Sequence, residues 1–169
     1  IALVVGSFLT ERLAAEYGRL FDLLAAHDVQ IALDTGWPVT GWTADVRKQC
    51  LAWAARCDHL LLNEVELMSM FGETRLDAAM KAAARSLPQG GSVIAKRGPK
   101  GASGLKNGDL VHAPAPSVPV LDTAGAGDIF NAGYLARMAQ GASLPEALET
   151  GVAAASRAIS TNPREYHQA

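Results

Sequence analysis

The stretch LDTAGAGDIFNAGYL, residues 121–135, sets two aspartates around a turn built from glycine and alanine. Read as a helix start at Gly125-Ala126-Gly127-Asp128, it has the chemistry of an anion site. The first backbone N–H groups of a helix lack internal acceptors, and the helix dipole adds partial positive charge there. Small residues leave those amides uncovered, so an anion can approach the backbone. Asp128 then stands beside that anion, although a first-turn Asp also simply complements the dipole. Two familiar phosphate loops are excluded. No GxxxxGK[ST] string occurs, and in the pattern GxGxxG the third glycine is replaced by Phe130.

Two more stretches carry polar groups after apolar runs. LLLNEVEL places Asn63 and Glu66 three apart at a helix start, where an amide and a carboxylate share a face and can address one ion. VIAKRGPKGA places Lys96, Gly98 and Gly101 at a turn after a strand. The thiols, Cys50 and Cys57, lie seven residues apart on one helical pattern and form no CxxC motif, so they read as small buried residues rather than a disulfide. His27, His59, His112 and His167 show no paired-ligand spacing, which argues against zinc.

The elements that must position these groups alternate. Strands are expected at 1–5 (IALVV, buried), 29–34, 59–63, 92–98 and 117–122, the last ending at Asp122. Helices are expected from a cap at Thr10, with Leu13, Tyr17, Leu20, Phe21 and Leu24 on one face, and then over 44–57, from 64, and around 76–87. Two more follow at 126–140 and 144–160, the latter capped by Ser143. Asn107-Gly108 suits the tight turn of a β-hairpin over 102–114. Strands alternating with helices predict an α/β fold, a mostly parallel sheet with helices on its faces. In such sheets ligands sit beyond the carboxyl ends of the strands. That rule groups Asp34, Asn63, Lys96-Arg97-Gly98 and the Asp122–Asp128 turn on one edge.

The string DTAGAGDIF resembles the D-T-x-G-A-G-D-x-F signature of the ribokinase-like (PfkB) carbohydrate kinases at every fixed position. The resemblance implies a three-layer ribokinase-like fold and ATP-dependent phosphorylation of a sugar hydroxyl. It implies Asp128 as general base and the amides of Gly125, Ala126 and Gly127 as the anion hole. It also gives Asn63 and Glu66 a hydrated Mg2+, largely through water. Lys96, Gly98, Gly101 and Thr123 fall beside the nucleotide. Asp122 either fixes the turn or lies near a monovalent cation (K+), as in some relatives. The family's D-P-N-x-R loop is not reproduced after Asp34, where Asp34-Thr35-Gly36-Trp37-Pro38 stands; Asp34 and Trp42 are the candidate equivalents. No adenine-contacting residue can be assigned from the tail TNPREYHQA. The matching motifs belong to the second half of the family pattern, so residues 1–169 are expected to be the nucleotide-binding and catalytic half of a sugar kinase domain, inactive alone if the sugar-binding half is missing. The implied partners are a sugar and a nucleotide, with a homodimer compatible, in a cytoplasmic setting.

Bulk composition agrees with a globular chain of 169 residues: 49% apolar, 19% charged, net charge −2. Without a basic block, nothing points to nucleic acid or to an anionic membrane, and the apolar runs are too short to span one. The competing class is a nucleotide-binding module without catalysis. A dehydrogenase would need its glycine fingerprint in the first strand–helix turn, and the order here is wrong.

Overall fold

A computed structural model describes residues 1–165; His167 and the end of the TNPREYHQA tail lie outside the described residues. The fold is α/β, with a mixed six-stranded sheet in the order β1-β2-β3-β4-β5-β6. The strands are β1 (Ala2–Val5), β2 (Ile31–Asp34), β3 (His59–Asn63), β4 (Ser92–Lys96), β5 (Ala102–Lys106) and β6 (Asp109–Ala113). The helices are α1 (Glu11–Ala15), α2 (Tyr17–Ala26), α3 (Ala44–Ala54), α4 (Glu64–Phe71), α5 (Leu76–Ser86), α6 (Ala126–Ala139) and α7 (Leu144–Ser160). The chain divides into two compact units: residues 1–95 with 105–109, and residues 96–104 with those from 110 onward.

In the first unit β1, β2 and β3 run parallel, Val5 opposite Asp34 and Leu33 opposite Leu60. Strands β2 and β3 are almost continuously buried, with apolar centres at 31–33 and 60–62, because both faces are covered. Their carboxyl ends, Asp34 and Asn63, therefore share one edge, as the alternating pattern predicts. The core joins Leu33, Leu60, Leu62 and Val93 to Tyr17, Phe21, Trp53, Leu67 and Met70. Cys50 and Cys57 are free, buried thiols, both pushed up to about 12 by burial.

Three expectations need correction. IALVV is not a buried strand: only Val4 is buried, while Ile1, Leu3 and Val5 are about two-fifths exposed on an edge strand. The helix expected from Thr10 breaks at Glu16, whose φ/ψ of −98°/4° separates α1 from α2. The Thr10 hydroxyl donates to the Gly6 carbonyl instead of capping, and Leu13 is exposed. After the break Tyr17 is fully buried, donating to Ser7 Oγ at 3.2 Å and stacking on Phe21. Finally, 117–122 forms no strand. Pro119 removes an N–H group that a ladder would require, and the amides of Leu121 and Asp122 donate to the Ile159 carbonyl near the end of α7.

In the second unit α6 and α7 pack closely. A Cβ on Gly133 would lie 3.2 Å from Gly151 Cα, and one on Gly151 would lie 2.9 Å from the Phe130 ring. Phe130, standing where a third glycine would be, stacks on Tyr134 and is buried. Its role is packing.

Candidate active site

The glycine turn is built by its own sequence. Gly125 takes φ/ψ of 70°/7° as the residue before α6, the left-handed conformation that the third residue of a type II turn requires. The Ala126 amide donates to the Thr123 carbonyl at 3.1 Å, closing that turn. The first intrahelical bond runs from the Ile129 amide to the Gly125 carbonyl at 3.0 Å. The Gly127 and Asp128 amides thus fall in the open first turn of a helix of 14 residues. Asp128 is the third residue of that helix and is exposed.

Asp122 anchors the turn from the other side. Its Oδ1 accepts the Ala124 amide at 2.9 Å, and its Oδ2 accepts from Arg164 Nη2. Arg164 Nη1 donates to the Ala124 carbonyl at 2.7 Å. The Ala124 amide bond, then the Arg164 guanidinium, hold the Asp122 carboxyl below its ordinary range. Of its two expected roles, fixing the turn has direct geometry.

Lys96 ends β4, and its Nζ donates to Asn131 Oδ1 at 3.4 Å. Asn131 is fully buried, three residues beyond Asp128 on α6. A Cβ on Gly127 would lie 3.4 Å from Lys96 Nζ. The strand end and the glycine turn therefore come together, as far as Lys96 is concerned. Gly101 has a packing duty: its φ is +85°, and a Cβ there would stand 2.0 Å from the Ala113 carbonyl. Gly98, φ +55°, opens a single 3-10 turn and has space around it.

In the first unit the N-x-x-E motif forms a reciprocal cap. Asn63 Oδ1 accepts the amides of Val65 at 3.0 Å and Glu66 at 2.8 Å, while Glu66 Oε2 accepts the Asn63 amide at 3.0 Å. The motif stands at a helix start as read, yet its capping geometry was legible too: a cap residue followed three positions later by Glu before an apolar run. Because those oxygens already accept backbone N–H groups, the donor set fits a hydrated Mg2+ better than direct ligation. Asp34 and Thr35 are buried. Trp42 packs edge-on against Phe8 and Trp37.

Among the described residues no group of three His, Cys, Asp or Glu side chains is placed to hold a metal ion. None of the described helices is long and apolar enough to cross a membrane. Asn131 and Arg164 join the site without a sequence signal. Arg164 reaches back 40 residues to Ala124, a separation no local pattern encodes.

The family model for pfkB family carbohydrate kinases matches residues 2–162. The chain belongs to that family. It is 32% identical over 136 residues to a 1-phosphofructokinase of Rhodobacter capsulatus, covering 79% of this chain and 40% of that protein. A deoxyribokinase of Salmonella typhi is 38% identical over 89 residues, 50% of this chain and 29% of that one. Among solved structures, a putative ribokinase II of E. coli in complex with ATP and Mg2+ superposes with a TM-score of 0.81 at 20% identity, covering 94% of this chain and 52% of that one. A Vibrio cholerae fructokinase, bound to fructose, ADP and calcium, gives 0.82 at 18% identity, covering 94% and 54%. These likenesses establish the ribokinase-like fold. The chain spans less than half the length of the curated relatives and about half that of the solved structures.

Proposed function

We propose that the protein of which this chain forms part transfers the γ-phosphoryl group of ATP to a hydroxyl of a sugar or sugar-like acceptor. The observation that carries the reading is the glycine turn: a left-handed Gly125 opening α6, with Asp128 in its first turn, where backbone amides have no intrahelical acceptor. Phosphoryl transfer asks mainly for positioning and charge stabilisation. Asp128 accepts the proton of the attacking hydroxyl. The Gly125 and Gly127 amides take up charge on the transferring group; the Ala126 amide, held by Thr123, does so only as a shared donor. Lys96, Thr123 and the turn through Gly98 border the nucleotide, while Gly101 shapes that turn.

Asn63 and Glu66 would hold hydrated Mg2+, whose chemistry is to neutralise and orient the phosphates. Support for ATP and Mg2+ comes from the E. coli neighbour, described as a complex with both. Residues 1–169 would be the nucleotide-binding and catalytic half of the kinase domain.

The test measures ADP release by the whole protein with Mg-ATP against a panel of sugars, phosphosugars and nucleosides. Acceptor-dependent release of ADP with a phosphorylated product supports the reading. Nucleotide binding without any acceptor-dependent turnover would leave a binding module instead.

A further inference from the structure

Two oxygens of the glycine turn accept from a single guanidinium. Arg164, in the segment after α7, donates from Nη1 to the Ala124 carbonyl at 2.7 Å and from Nη2 to Asp122 Oδ2. The same Nη1 lies 3.9 Å from where a Cβ on Gly125 would stand, so the positive charge sits at the edge of the turn. A carboxylate oxygen and a backbone carbonyl two residues apart are donors of the kind that hold a hard monovalent cation. The family resemblance gives Asp122 such an ion. These oxygens do not fit one here, because they already face a permanent cation that would repel a second at contact distance.

We infer that Arg164 is a positioning residue that replaces the monovalent cation at this turn. It ties Asp122 to Ala124 and supplies fixed positive charge beside the amides proposed to bind phosphate. The inference rests on that reading of the turn only where nucleotide is concerned. The side chains are 26% exposed for Arg164 and 61% for Asp122. A pair so exposed makes a small contribution to global stability, read as a melting-temperature shift of about 2–4 °C at most. Its main effect is local order of the turn.

The experiment compares the whole wild-type protein with Arg164→Ala and Arg164→Lys in potassium, sodium and tetramethylammonium chloride. Equal ionic strength keeps screening constant. Melting temperature and ATP affinity are read in each salt. The wild type is expected to show no potassium-specific change in either. Arg164→Ala should bind ATP about tenfold more weakly in tetramethylammonium, the scale of a lost charge-assisted hydrogen bond. Potassium or added guanidinium should restore most of that affinity and raise the melting temperature, since both oxygens are vacated; Arg164→Lys should need less rescue. A potassium-specific response in the wild type would overturn the inference, as would an Arg164→Ala protein that behaves like the wild type in every salt. If Arg164→Ala does not fold, the wild-type comparison and Arg164→Lys still decide. If the wild type binds no ATP, the kinase reading falls, while the melting temperatures across the three salts still judge the role of Arg164.

Discussion

Asn63 and Glu66 cap each other: the Asn63 side chain accepts the Glu66 amide at 2.8 Å, and the Glu66 carboxylate accepts the Asn63 amide at 3.0 Å. One motif thus serves the helix and, on the proposed function, a hydrated metal ion. The two duties separate by mutation. Asn63→Ala should lower stability by about 1 kcal/mol, the usual cost of losing a cap. Glu66→Gln keeps an acceptor for the Asn63 amide but removes the charge. Its chemical denaturation midpoint should stay near wild type while the magnesium dependence of ATP binding weakens. Unchanged magnesium dependence would make the motif a cap and nothing more.

Gly101 and Gly98 both have positive φ, yet they predict different costs. A Cβ on Gly101 meets the Ala113 carbonyl at 2.0 Å, whereas one on Gly98 meets nothing within 4 Å. Gly98→Ala should cost about 1–2 kcal/mol from the left-handed backbone alone. Gly101→Ala must in addition displace β6, and a loss of more than about 4 kcal/mol, or failure to fold, is expected. Equal midpoints for the two variants in urea would contradict the packing described.

His59 predicts an acid-sensitive stability. It is buried, and its Nδ1 pairs with Ser92 Oγ at 2.7 Å. Burial pushes its pKa down to about 4; Asp58 opposes that shift and Lys106 adds to it. The charged form is thus disfavoured in the fold relative to the unfolded chain, whose histidine titrates near 6.5. Stability is full above about 6.5 and is lost as pH falls from there toward 4. The loss from this group should reach roughly 3 kcal/mol. His59→Gln should flatten that part of the stability–pH curve. A curve with the same slope in both proteins would remove His59 as its cause.

Local chemistry made much of this fold legible. The helix 144–160 is found at those bounds because Ser143 and Glu146 box its start, with the Ser143 amide donating to Glu146 at 2.8 Å. Asn107 and Gly108 take φ of 53° and 90°, as a tight hairpin turn demands. Long-range choices were not legible. Nothing in VLD says that its amides would turn to Ile159 rather than to a neighbouring strand. Asn131 looks like an ordinary helix residue until Lys96 reaches it. The glycine turn stood out because its chemistry lies within a dozen residues, whereas Arg164, which pins it, comes from the segment after α7.

The central claim is that Asp128 does chemistry rather than cap a helix. Asp128→Asn in the whole protein keeps size and a hydrogen-bonding group while removing the base. Turnover with the best acceptor should fall by about two to four powers of ten, the usual contribution of general-base catalysis, with ATP affinity barely changed because the proposed function assigns the phosphates to backbone amides. Near-normal turnover in that variant would make the aspartate a first-turn complement to the helix dipole, and the kinase reading of the glycine turn would be wrong.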